Sequence, residues 1–164
     1  MSDKVYNVLF VCTHNSARSI MAEGLLNSMG KDRFKAYSAG SQPSGTVNPF
    51  ALTTLTTLRI SNDGYRSKDW TEFAHSDAPQ LDFVFTVCDN AAGEVCPVWP
   101  GQPMTAHWGV PDPANFAGTD KHKAKVFWDT ALVLKRRIEL MLALPLHSLD
   151  SMAIQREIKD IGTR

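Results

Sequence analysis

An apolar run that ends at a cysteine, with an arginine six residues further on, constrains this chain more than any other feature. The stretch reads Val8-Leu9-Phe10-Val11-Cys12-Thr13-His14-Asn15-Ser16-Ala17-Arg18-Ser19. The run before Cys12 is short and rich in valine and phenylalanine, which predicts a buried strand. After Arg18, the apolar residues Ile20, Met21, Leu25, Leu26 and Met29 recur at helical spacing, so the loop opens a helix. A helix start presents unpaired amides and a positive dipole end, which together favour an anion. The same field predicts that the Cys12 thiol is acidified below the free value of about 8.5. Arg18 adds a planar fork of donors shaped for a tetrahedral oxyanion.

The rest of the chain repeats the alternation. Strands are expected over 5–11, 34–38, 81–87 and 104–108, and helices over 19–29, 47–58 and 121–144, with a short one over 70–74. In the long helix Val126, Phe127, Ala131, Leu134, Ile138 and Leu142 share one face, and Pro145 stops it. Such an order predicts an α/β fold: a single-domain three-layer sandwich, with a four-stranded parallel sheet and helices on both faces. The expected division is a domain over 1–145 and a C-terminal helical tail over 146–164, whose amphipathic helix covers 149–161. Ligands of such sheets sit beyond the carboxyl ends of the strands. Cys12 follows the first strand, Cys88 the third and the Asp112 turn the fourth, so all three are expected at one edge.

Composition narrows the function by exclusion. Lys+Arg and Asp+Glu both number 17, a balance that points to neither a nucleic-acid nor a membrane partner. No apolar run approaches the roughly 20 residues that span a bilayer. Met1-Ser2-Asp3-Lys4 leads straight into the first strand without a signal-peptide pattern, so a cytoplasmic protein is expected. Three cysteines, Cys12, Cys88 and Cys96, are an odd count, and in a reducing compartment thiols are more often catalytic than structural. Their spacing does not suit zinc, nor do His75, His107, His122 and His147, so neither metal nor cofactor is predicted. Trp70, Trp99, Trp108 and Trp128 read as core or loop anchors. The run Lys135-Arg136-Arg137 reads as a solvated helix face.

The Cys12-to-Ser19 loop, Met21-Ala22-Glu23, Tyr37-Ser38-Ala39-Gly40 and the Asp112-Pro113 turn together resemble the low-molecular-weight tyrosine phosphatase superfamily, over roughly residues 5 to 144. Aspartate before proline alone is only a turn starter. Paired with the loop, it implies a general acid, worth about 10²–10⁴-fold when a poor leaving group must be protonated. The resemblance implies that Cys12 is the nucleophile, that Arg18 clamps the oxyanion and that Asp112 protonates the leaving oxygen. Thr13, His14, Asn15, Ser16 and Ala17 would form the rest of the oxyanion-binding loop. Ser19 would steady the thiolate, Asn15 would hold the loop's shape, and His14 is expected to point outward. Ala17 stands where some reductases of this type carry a further cysteine.

Two branches of that superfamily differ in their thiols. One hydrolyses phosphotyrosine with one essential cysteine; the other reduces arsenate to arsenite with three. Thr86-Val87-Cys88-Asp89-Asn90-Ala91-Ala92-Gly93-Glu94-Val95-Cys96-Pro97 places two thiols where the reductase branch has them. Ala114 and Asn115 follow Asp112-Pro113, where phosphatases usually carry aromatic residues. The resemblance therefore implies a thiol-dependent arsenate reductase. Two thiols supply two electrons by forming a disulfide, and a third moves that disulfide outward by exchange. Thioredoxin, or alternatively glutaredoxin with glutathione, would recycle the protein. The rival readings are a phosphatase acting on phosphotyrosine or small phosphomonoesters, an activity that could also persist as a residue in the reductase, and a redox-sensing or phosphate-binding module. Some reductases of the family bind potassium near the loop. Asn15, Glu23 and Ser38 match part of that site, but Arg66, with Asp63 nearby, stands where its carboxylate is expected, so no metal is predicted here.

Overall fold

The computed structural model describes residues 4–88 and 99–164. Cys96 lies outside the described residues. Four strands, β1 (Tyr6–Cys12), β2 (Phe34–Gly40), β3 (Phe83–Thr86) and β4 (Met104–His107), form one parallel sheet in the order β2-β1-β3-β4. Among the described residues four α-helices accompany them: α1 (Arg18–Met29), α2 (Pro49–Thr57), α3 (Asp120–Leu142) and α4 (Ser151–Ile161). Among the described residues no helix is long and apolar enough to cross a membrane.

Each helix starts for a local reason. Asn48 caps α2 by accepting from the Phe50 amide, and Pro49 occupies the first turn. Within α2 the hydroxyls of Thr54, Thr56 and Thr57 donate to carbonyls one turn back, which occupies groups that otherwise compete with a helix. Thr119 caps α3 and Asp150 caps α4 through the Ala153 amide. The N-cap of α1, Ala17, makes no such side-chain bond, so the amide end of α1 is left to the cysteine loop that precedes it.

Alternation along the strands sorts the sheet into two faces. Phe34 of β2 meets Leu26 of α1 and Leu142 of α3 around Gly30. Phe10 and Phe85, on the same face, pack on Trp108, with Phe85 and Trp108 stacked at 3.9 Å. That face therefore carries α1, α3 and α4. The opposite face holds Tyr37 against Phe73, within the 3-10 helix Trp70–Phe73, and Trp70 makes an edge contact with Trp99. The sheet thus lies between two helical covers, and α2 packs outside α1 and α3, with Phe50 stacked on Phe127.

One sequence reading changes. Arg137, expected on a solvated face, is 7% exposed: it lies one helical position from Ile138 and turns inward to the sheet's carboxyl edge. In the helical tail Ile154, Ile158 and Ile161 join the same buried cluster as β1 and α3.

Candidate active site

Strand register brings the reactive groups together. Cys12, the last residue of β1, lies opposite Gly40 of β2, and Val11 lies opposite Thr86 of β3. Two residues past Thr86, Cys88 therefore reaches the start of the cysteine loop. The Thr13 amide donates to Cys88 Sγ at 3.2 Å, and both Cys12 and Cys88 are 2% exposed. Gly40 is required by the same closeness: a Cβ there would stand 2.5 Å from the Thr13 carbonyl oxygen.

The loop is held by its carbonyls. Those of Thr13, His14 and Ser16 accept from the amides of Gln42, Ser44 and Asn48 at 2.8–3.0 Å. The C=O and N–H of a trans peptide point in opposite directions. The amides of His14, Asn15 and Ala17 consequently point away from that outer segment, into the loop, as an anion-binding nest requires. Asn15 adopts φ 49, the left-handed region that asparagine tolerates better than most residues. Its fully buried side chain donates to Ser19 Oγ at 2.8 Å and accepts from the Lys68 amide at 2.9 Å. Ser19 Oγ lies 3.0 Å from Cys12 Sγ. His14 is exposed, Ser16 half-buried and Ala17 buried.

Arg18 and Asp112 complete the cluster. Arg18 donates to the Val110 carbonyl at 3.0 Å and faces the Asp112 carboxylate at 3.5 Å. Asp112 itself opens the 3-10 turn Pro113–Asn115, where it accepts from the Ala114 amide at 2.9 Å. The structure thus gathers Cys12, Arg18, Asp112 and Cys88 at one edge of the sheet. Cys96 lies outside the described residues.

One electrostatic expectation is reversed. The Cys12 thiol is pushed well above its ordinary value, first by its hydrogen bond with the Cys88 thiol and then by burial, against which the Ser19 hydrogen bond works in the other direction. The arginine's donors are directed to Val110 and Asp112, and a second thiol shares the buried pocket.

Three contributors were not singled out in the sequence. Ser67 donates to the His14 carbonyl, Lys68 holds Asn15, and Arg137 donates to the Trp108 and Gly109 carbonyls at 2.8 and 3.1 Å, at the root of the Asp112 loop. Ser67 and Lys68 sit in a polar turn whose composition gives no sign of inward contacts. Arg137 falls in register with the buried face of α3, which was the available signal.

Residues 7–152 match the model of the low molecular weight phosphotyrosine protein phosphatase family. The chain is 37% identical over 128 residues to an arsenate reductase of Shouchella clausii, covering 77% of this chain and 86% of that one. Among solved structures, an arsenate reductase in its phosphate-binding state superposes with a TM-score of 0.69 at 29% identity, covering 84% of this chain and 97% of that one. A thioredoxin-dependent arsenate reductase of Corynebacterium glutamicum superposes with a TM-score of 0.58 at 26% identity, covering 85% of this chain and 65% of that one.

Proposed function

The chain belongs to the low molecular weight phosphotyrosine protein phosphatase family, and from that premise we propose that it is an arsenate reductase working through a thiol relay. The observation that carries the reading is the second thiol inside the nucleophile's own pocket: Cys88 is as buried as Cys12 and accepts from the amide of Thr13, the residue next to it, at 3.2 Å. Hydrolysis of a phosphate ester has no use for that sulfur. Electron transfer does.

The chemistry follows from the groups present. The oxyanion sits on the loop amides beside Arg18. The Cys12 thiol gives its proton to an oxygen of the bound arsenate as its sulfur attacks As(V), and an arsenate oxygen leaves as water with a proton from Asp112. The Cys88 thiolate then attacks Cys12 Sγ. The S–As bond breaks, its electron pair stays on arsenic, and As(III) leaves as arsenite while a Cys12–Cys88 disulfide forms. Cys96 attacks Cys88 Sγ, which frees Cys12 and leaves Cys88–Cys96. An external dithiol reduces that disulfide. Thioredoxin is the proposed donor, a reading supported by the thioredoxin-dependent relative.

The test is arsenate turnover with thioredoxin and its reductase, with aryl phosphate as the control substrate. Cys12→Ser should lose both activities. Cys88→Ser and Cys96→Ser should each stop repeated arsenate reduction yet retain slow ester hydrolysis, which needs only Cys12, Arg18 and Asp112. Without Cys96, one arsenate per chain should be reduced and a Cys12–Cys88 disulfide should accumulate in peptide mass maps. Wild-type turnover rates in both serine variants would show the relay to be wrong.

A further inference from the structure

Behind the cysteine loop lies a second polar cluster, built on the half-buried carboxylate of Glu23. Glu23, on α1, accepts a hydrogen bond from Ser38 of β2. Lys68 adjoins the loop, its amide donating to Asn15 Oδ1. Lys68 is 8% exposed; its ammonium donates to the Arg66 carbonyl at 3.0 Å and attracts the Glu23 carboxylate. Arg66, the residue expected here from the sequence, instead turns to the surface and pairs with Glu72 at 2.6 Å. Asn15, Glu23 and Ser38 are the residues that part-match the potassium site of some relatives. The residues present do not fit that ion, because a hard cation needs oxygen ligands and here it would share Glu23 with the Lys68 ammonium, whose proton burial loosens and Glu23 helps to hold.

We infer that the Lys68 ammonium is the resident cation of this cluster, standing in for a bound metal ion, and that it positions the oxyanion loop through Asn15. The path is continuous. Attraction to Glu23 and the bond to the Arg66 carbonyl fix the turn at residues 66–68. The Lys68 amide then holds Asn15 Oδ1 at 2.9 Å, Asn15 holds Ser19 at 2.8 Å, and Ser19 holds Cys12 at 3.0 Å. Two further bonds tie the same turn to the site: Ser67 Oγ donates to the His14 carbonyl and the Gly40 amide to the Lys68 carbonyl. Lys68 is thus a positioning residue that touches no reacting atom. Burial raises the Glu23 carboxyl against the pull of Ser38 and Lys68, so a carboxylate left here without its cation would be costly.

The inference rests on the reading of the loop as an oxyanion site, which wild-type phosphate binding tests by itself. Inorganic phosphate is titrated by its protection of Cys12 from alkylation, in potassium chloride and in choline chloride at equal ionic strength, and thermal unfolding is recorded in both. Wild type should bind phosphate and melt identically in the two salts. Lys68→Met in choline should weaken phosphate binding by about 10- to 100-fold, the scale of a misplaced loop, and potassium should restore most of it by occupying the vacated oxygen cluster. Folding of Lys68→Met in potassium but not in choline would support the same conclusion. Glu23→Gln/Lys68→Met, which leaves no buried charge, should fold, bind phosphate weakly and ignore potassium. Wild-type phosphate affinity that rises several-fold with potassium would overturn the inference, as would wild-type affinity in either Lys68→Met or the double variant in choline. Absence of phosphate binding by wild type, with identical melts in the two salts, would sink the loop reading and leave the resident cation standing.

Discussion

Cys12 has two neighbours that pull its proton in opposite directions. The Cys88 thiol, with burial, keeps the proton on; the Ser19 hydroxyl favours its loss. Cys88→Ala removes the leading upward influence, so the alkylation midpoint of Cys12 should move to lower pH and its reaction at pH 7 should quicken. Peptide mapping of alkylated Cys12 across pH measures this, and an unmoved midpoint would contradict the thiol–thiol contact as its cause. The same shift has a sign for stability. The folded chain keeps the Cys12 proton past the ordinary thiol value of about 8.5, so above that pH it binds more protons than the unfolded chain. The stability linked to Cys12 is therefore fully present below the ordinary value and is lost as pH rises toward the folded value. Urea midpoints of wild type should fall through that alkaline range, and those of Cys88→Ala should fall less.

Elements matter to this site mainly as supports for loops. Arg137 projects from α3 and donates through Nη1 to both the Trp108 and Gly109 carbonyls, which fixes where the chain leaves β4 and so where Asp112 arrives. Arg137→Met keeps the bulk and loses both bonds. Stranding those carbonyls should cost about 1–3 kcal/mol of stability, and displacing Asp112, the proposed general acid, should lower kcat by roughly 10-fold or more. Phosphate affinity should change little, and Arg137→Lys should recover part of kcat. Equal loss of phosphate affinity and kcat would mean that α3 supports the anion loop instead of the acid. The alternation of strand and helix was legible because apolar periodicity reports burial directly, and Cys12, Arg18 and Asp112 were legible because their residue types are chemically unusual in those settings. Boundaries shifted where caps decide them: α2 begins at Pro49 because Asn48 caps it, while apolar spacing alone suggested 47. Lys68 was illegible for another reason. Its role depends on Glu23, distant in sequence, and an isolated lysine in a polar turn looks solvated.

At the scale of the molecule, β4 is an edge strand, and an open edge offers unpaired backbone groups to other chains. The C-terminal helix lies along it. Gln155 donates to the Thr105 carbonyl at 2.8 Å, and Trp108 Nε1 donates to the Ile158 carbonyl at 2.8 Å. Gly162 passes so near the strand that a Cβ would collide with the His107 carbonyl oxygen. Ile158 is fully buried beneath this contact, with Ile154 and Ile161 beside it. The helix thus covers the sheet edge and supports Trp108, whose indole stacks on Phe85 at the centre of the core. An independent tail would be dispensable; a part of the core is not. Ile158→Ala should cost about 2–5 kcal/mol, read as a lower urea midpoint with the tryptophan signal and the far-UV signal moving together. A chain ending at Ser148 should unfold at markedly lower temperature and associate through the bared β4 edge, visible as concentration-dependent light scattering. If that shortened chain instead melts where the full chain does and stays monodisperse, residues 149–164 are an appendage and the sheet edge protects itself.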